Sequence, residues 1–173
     1  IFELIEAHVL FDIPIDKLKI KIHKESLIHS AIIFKSGLVQ MIMHDTTMVI
    51  PIRNSIFENK FNGQLNNLFK SKNNIELNFD EKKLSKFKII KTGYKVLGMG
   101  HSAWLLFNVI NDNLVNKFLN KKIFFYEIVS NLVKIFNQKN IILYCKKTRV
   151  KSIADINKVI NYGNLIANKL WDH

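Results

Sequence analysis

Cysteine is almost missing from these 173 residues: Cys145 stands alone. No internal disulfide can staple the chain, which fits a reducing compartment, and no zinc site of His/Cys type has its thiolate pair. Long apolar runs are missing too. Lys or Asn interrupts every hydrophobic stretch before it reaches the roughly 18 residues of a transmembrane candidate. No secretory leader opens the sequence, since Ile1 runs directly into an amphipathic pattern carrying Glu3 and Glu6. The first residue is not Met, and the expectation is a chain that begins inside a longer protein. A Gly-x-Ser-x-Gly elbow, the mark of a serine hydrolase, occurs nowhere. Internal repeats and low-complexity tails are also lacking.

Arginine is scarce, with Arg53 and Arg149 the only two among 26 basic residues, yet the formal net charge is +12. A charge of that size invites a phosphate-binding surface. The lysines argue against it, because they are scattered from Lys17 to Lys169 and rarely form runs longer than two. Ile, Lys, Asn and Phe are over-used together, a set whose codons are A/T-rich, so genome bias accounts for the charge. No nucleic-acid partner and no membrane partner are expected. A basic nucleic-acid module is the rival reading, and it requires binding that falls steeply with salt.

Hydrophobic residues make up 48% of the chain and aromatics 11%, enough for one sizeable core or two small ones. Phe2, Ile5 and Val9 recur at helical spacing and predict a helix from Ile1 to Leu10 that ends at Asp12-Ile-Pro14. Leu18, Ile20 and Ile22 alternate with lysines and predict a strand. The runs Ser30–Phe34 and Leu38–Met43, flanking Lys35-Ser-Gly37, predict a β-hairpin whose glycine takes the positive φ of the turn. Pro51 suits the first turn of a helix over Ile52–Phe57. Residues 59–93 read as a polar connection. Beyond them a stripe of Trp104, Phe107, Val109, Ile110, Leu114, Val115, Phe118 and Leu119 predicts one helix, and Phe125–Phe136 a second. Ser152-Ile-Ala-Asp155 looks like a capping box for a third, with Ile156, Val159, Ile160, Ile166, Ala167 and Leu170 on one face. Three such helices can close a small bundle.

Two short stretches concentrate groups capable of chemistry. Glu3-Leu-Ile-Glu6-Ala-His8 holds two carboxylates and a histidine, and Ile22-His-Lys-Glu-Ser26-Leu-Ile-His29-Ser30 holds two histidines six residues apart. Converging O and N donors suit a hard divalent cation or an anionic substrate. The plainer alternatives are a solvated helix face and a histidine bonded to backbone.

Five blocks, in order, resemble the C-terminal part of the 1-deoxy-D-xylulose 5-phosphate reductoisomerase family. Glu3-Leu-Ile-Glu6-Ala-His8-Val-Leu-Phe11 is similar to its Glu-x-Ile-Glu-Ala-x-x-Leu-Phe, and Ile22 to Ser30 to its Ile-His-Pro-Gln-Ser-x-x-His-Ser. Gly37 follows at the expected distance. Met48-Val-Ile-Pro51-Ile52 is similar to Met-Arg-x-Pro-Ile. Asn108-Val-Ile-Asn111-Asp112 is similar to Asn-Ala-Ala-Asn-Glu, and Phe118-Leu with Ile123-x-Phe125 continues it. Lys24 replaces a proline, and Thr46-Thr47 replaces Pro-Asp. The family's Gly-rich dinucleotide-binding segment and its Asp-x-Glu metal pair have no counterpart here.

The resemblance implies an α+β chain: part of an α/β catalytic domain with a β-hairpin (1–58), a connecting segment (59–93) and a C-terminal helical bundle (94–173). The N-terminal dinucleotide-binding domain is absent from the chain. It further implies an NADPH-dependent enzyme using Mg²⁺ or Mn²⁺, with Glu3 as the one metal ligand this chain supplies and the remaining ligands outside it. Glu3, Ser26 and His29 are implied to meet a small phosphorylated sugar, His29 as the catalytic group, and Met48 to line the cofactor side. A homodimer is implied, located in a bacterial cytoplasm or in a plastid or apicoplast stroma. The isolated chain is expected to be inactive. A truncated, non-catalytic remnant acting as a binding or structural module is the competing expectation. His8, His44 and His101 take no role from sequence.

Overall fold

The computed structural model describes residues 1–57, 75–79 and 86–169. Its elements are α1 (Phe2–Phe11), a 3₁₀ turn (Ile15–Lys17), β1 (Ile28–Ile33), β2 (Val39–Met43), α2 (Val49–Phe57), α3 (Lys88–Leu97), α4 (His101–Leu119), α5 (Phe125–Phe136), α6 (Lys139–Lys147) and α7 (Ile153–Lys169). The chain divides into two compact units, one made of Ile1–Ile20 with Ser85–His173 and one of Lys21–Leu84. This grouping differs from the sequence-ordered division at 58 and 93. The first twenty residues associate with the helices, and the helical part reaches back to Lys88, inside the segment read as a connection. The rest of that segment lies largely outside the described residues.

The helical unit is built around α4. Phe107, Ile110 and Leu114 on α4 are buried with Ile135 and Phe136 from α5, Ile141 and Cys145 from α6, and Val159 from α7. Each buried large aliphatic or aromatic side chain contributes about 1.5–3 kcal/mol relative to exposure. The stripe read from sequence covers much of this face, but Leu119 is 68% exposed, and Ala103 and Leu106 complete the face instead. Helices α4 and α7 pack against each other at Gly163. A Cβ there would stand 2.7 Å from Val109 Cγ1, so only a glycine lets the backbones pack this tightly.

Among the described residues five helices, not three, form the C-terminal part of this unit. α3 and α6 are the additions. Ser152 caps α7 as its sequence suggests: Oγ accepts from the Asp155 N–H at 3.2 Å, and Asp155 Oδ2 accepts from Ser152 Oγ at 2.8 Å and from the Lys151 N–H at 3.2 Å. Val159 and Ala167 bury the inner face of α7, whereas Leu170 lies outside the described residues.

α1 ends one residue later than expected. Asp12 turns left-handed at φ 50°, and the His8 Nδ1–H donates to the Ile13 carbonyl at 2.7 Å. Its buried face is also different. Leu4 is the buried position and clusters with Leu18 and Leu97, while Val9 is 54% exposed. Residues 18–22 do not form the expected strand: Leu18 is extended but spends its side chain on this cluster, with no ladder partner among the described residues.

In the other unit β1 and β2 pair antiparallel around Gly37, whose φ of 87° serves the turn. α2 begins at Val49, two residues before Pro51.

Candidate functional site

The hairpin carries a local irregularity at the histidine singled out by sequence. Ile28 pairs with Met43 and Ser30 with Ile42, so the register shifts between them and His29 is left as the extra residue. A bulge of this kind re-aims a side chain and interrupts pairing. The imidazole of His29 lies flat on that of His44, with ring centroids 3.7 Å apart and planes 7° from parallel. His29 Nε2 is 3.3 Å from the His44 carbonyl oxygen. A carbonyl oxygen only accepts, so in the neutral ring Nε2 carries the proton and Nδ1 keeps its lone pair. His44 is itself anchored: its ring Nδ1–H donates to the Asp45 carbonyl at 2.7 Å, and its backbone N–H donates to the Leu27 carbonyl at 3.1 Å. Leu27 is buried, which fixes that end of the hairpin.

Ser26 precedes this strand in a turn. Its φ is 54°, and its N–H donates to the His23 carbonyl at 3.2 Å. His23 is scaffold. Its Nδ1 lies 3.1 Å from the Asn78 carbonyl and 2.9 Å from Glu25 Oε2, and its ring stacks on Phe79 at 5.2 Å. The Glu25 carboxylate also accepts from the Asn78 side chain at 2.9 Å, and that bond, ahead of the others, holds it below the usual glutamate range.

Met48 follows β2 in the turn that starts α2. The turn is fixed locally: Asp45 Oδ1 accepts from the Thr46 N–H at 2.8 Å, and Thr47 Oγ1 from the Val49 N–H at 3.3 Å. The Met48 carbonyl accepts the helical bond from Ile52, and its side chain is 63% exposed.

Glu3 belongs to the helical unit, in the first turn of α1, where acidic charge suits the helix dipole. Its neighbours in sequence anchor that turn. Leu4 is buried, and Phe2 meets Phe107 edge-on at 5.7 Å. Glu6, one turn on, lines a cleft of about 220 Å³ with Phe2, Ile5, Trp104, Leu105 and Asn108. As a hard oxygen donor Glu3 fits Mg²⁺ or Mn²⁺ as a single ligand. It does not make a site by itself, and among the described residues no group of three His, Cys, Asp or Glu side chains is placed to hold a metal.

Of the histidines without a sequence role, His8 and His101 both meet Trp104 edge-on, at 5.6 and 4.7 Å, and serve packing. His44 is the residue that sequence reasoning missed. Counting outward from Gly37, residues 29 and 44 fall almost opposite one another, and that register was the available signal.

A solved DOX-P reductoisomerase with fosmidomycin and magnesium shares this fold with a TM-score of 0.80 at 22% identity, covering 97% of this chain and 42% of that one. The Zymomonas mobilis 1-deoxy-D-xylulose 5-phosphate reductoisomerase in complex with NADPH matches at TM-score 0.76 and 24% identity, over 99% of this chain and 44% of that one. The class is therefore the C-terminal part of a reductoisomerase fold, a two-stranded hairpin and a helical unit. Residues 43–163 match the family model of the DXP reductoisomerase C-terminal domain, and the chain belongs to that family. The 1-deoxy-D-xylulose 5-phosphate reductoisomerase of Pelagibacter ubique (strain HTCC1062) is 35% identical over 173 residues, 95% of this chain and 42% of the relative. That of Clostridium novyi (strain NT) is 30% identical, over 92% of this chain and 39% of the relative. The chain thus spans about two-fifths of the length of the curated relatives it matches.

Proposed function

We propose that this chain is the C-terminal portion of an enzyme that isomerises 1-deoxy-D-xylulose 5-phosphate and reduces the product with NADPH to 2-C-methyl-D-erythritol 4-phosphate. The observation that carries the reading is the family match over residues 43–163, supported by a fold shared with reductoisomerases solved with NADPH and with magnesium. Within it Glu3 would give one carboxylate to Mg²⁺ or Mn²⁺. Ser26 offers a hydroxyl and His29 an imidazole to the phosphorylated sugar, and Met48 packs on the cofactor side. When bound, the metal supplies charge stabilisation on the substrate's adjacent oxygens and NADPH supplies the hydride.

The chain's own contribution is placement. α1 is pinned through Leu4 and Phe2, so the Glu3 carboxylate starts from a fixed backbone; the bulge and the ring stack do the same for His29. Alone, the chain is inactive, because one carboxylate and no dinucleotide fold cannot assemble the reaction. The reading extends to a homodimer in a bacterial cytoplasm or plastid stroma, without nucleic-acid or membrane partners. Among the described residues no helix is long and apolar enough to cross a membrane.

The test is Glu3→Gln in a full-length protein carrying this chain. Magnesium activation should shift to concentrations at least about tenfold higher, as loss of a ligating carboxylate demands. Unchanged metal dependence would remove Glu3 from the site, and turnover by the isolated 173-residue chain would overturn the division of labour.

A further inference from the structure

His29 is an exposed side chain on a bulge, with no partner across the ladder. Left to itself such an imidazole samples several rotamers, and fixing it for each reaction costs entropy. The structure removes that freedom from one direction. The His44 ring covers one face of the His29 ring at 3.7 Å, and the His44 carbonyl meets the edge at Nε2. His44 is in turn tied at both ends, by its ring Nδ1–H to the Asp45 carbonyl and by its backbone N–H to the Leu27 carbonyl. The clamp is therefore more than two mobile rings in contact.

We propose that His44 is a positioning residue for His29: its ring sets the plane of the His29 imidazole, and its carbonyl keeps the proton on Nε2, leaving Nδ1 as the nitrogen that accepts a hydrogen bond from a substrate hydroxyl. The proposal rests on His29 being the substrate-site histidine. The part of His44 is steric and through its main chain. His44→Phe gives up the ring Nδ1–H bond to Asp45 but keeps the stacking face, the backbone bond to Leu27 and the carbonyl at Nε2, so it preserves the function, and His44→Ala, which loses the face, does not.

Two measurements test this. In the ¹⁵N-labelled 173-residue chain, the His29 ring protons, assigned by their loss in His29→Gln, should show the upfield shift of a stacked ring, with the ring proton on Nε2. His44→Ala should abolish the upfield shift, and His44→Phe should retain it. In the full-length protein, His44→Ala should lower kcat about tenfold, since a small misplacement of a reacting group costs rate on that scale, and His44→Phe should stay within about twofold of the parent. An unshifted His29 ring in the parent chain, or a proton on Nδ1, overturns the clamp even if His44→Ala fails to fold. A stacked His44→Phe variant as slow as His44→Ala also overturns it, because the imidazole of His44 would then have chemistry of its own. His29→Gln at full kcat, with the stack intact in the parent, would instead sink the role given to His29.

Discussion

The Tyr94 hydroxyl donates to the Leu18 carbonyl at 3.1 Å and joins α3 to a segment 76 residues earlier in the chain. Leu18 is buried beside Leu4 and Leu97, so this bond closes the apolar seam on which α1 rests. Tyr94→Phe keeps the ring and leaves the carbonyl without this donor. It should cost about 1 kcal/mol, read as a lower urea midpoint at unchanged slope. An unaltered midpoint would mean that the seam holds by burial alone.

Gly163 should be the least replaceable residue of α7. An added methyl meets Val109 Cγ1 at 2.7 Å and Leu106 Cδ1 at 3.2 Å, and neither helix can retreat without opening the core. Gly163→Ala is expected to destabilise the chain by about 1–3 kcal/mol despite alanine's better helix propensity. Adding Val109→Ala should recover part of that loss, so the double-mutant cycle should show coupling. Simple additivity would place the strain elsewhere.

The cap of α7 predicts a response to acid. The Ser152 hydroxyl, first, and then the Lys151 N–H hold the Asp155 carboxyl below the usual aspartate range. A carboxyl whose folded value is depressed adds stability that is fully present above its unfolded value and is lost as pH falls through the folded one. Glu25, held down chiefly by Asn78, has the same sign. Thermal stability should therefore decline below about pH 4, where free carboxylates protonate. Ser152→Ala should cost about 1 kcal/mol near neutrality, and the acid decline should become shallower. A decline of equal steepness in that variant would acquit the cap.

Cys145 is 2% exposed, and burial pushes its thiol up to about 11. The thiolate is the reactive form, so thiol reagents should modify the folded chain at neutral pH far more slowly than the urea-unfolded chain. Equal rates would show that α6 opens readily. Ser102 Oγ donates to the Cys145 carbonyl at 2.8 Å, and Ser102→Ala should speed modification by loosening that helix.

The hairpin was legible as two apolar runs around Gly37, and helices α4, α5 and α7 because each carries apolar residues at helical spacing, with Ser152 marking the start of α7. α6 was not, since its apolar residues run consecutively from Ile141 to Cys145 in a nine-residue helix and show no helical period, although only Ile141 and Cys145 are buried. α3 hides for a related reason: two of its four buried residues are Thr92 and Gly93, which no apolar pattern marks. Leu18, Ile20 and Ile22 misled because alternation describes an extended chain equally well when one side chain feeds a cluster and no second strand arrives. For the site, resemblance supplied Glu3, Ser26, His29 and Met48. It supplied nothing about His44, whose meaning depends on strand register.

The helical unit is discontinuous along the chain, with residues 21–84 inserted between its first twenty residues and the rest. During synthesis α1 leaves the ribosome long before α3 and α4 exist, so Leu4 has no seam to enter and Phe2 has no Phe107 to meet. The unit cannot close until the last helices arrive, and α1 must wait without its apolar partners while residues 21–84 are made. A nascent chain stalled before α4 is thus the species most open to chaperone capture or aggregation, and the carboxylate of Glu3 takes its final place among the last events of folding.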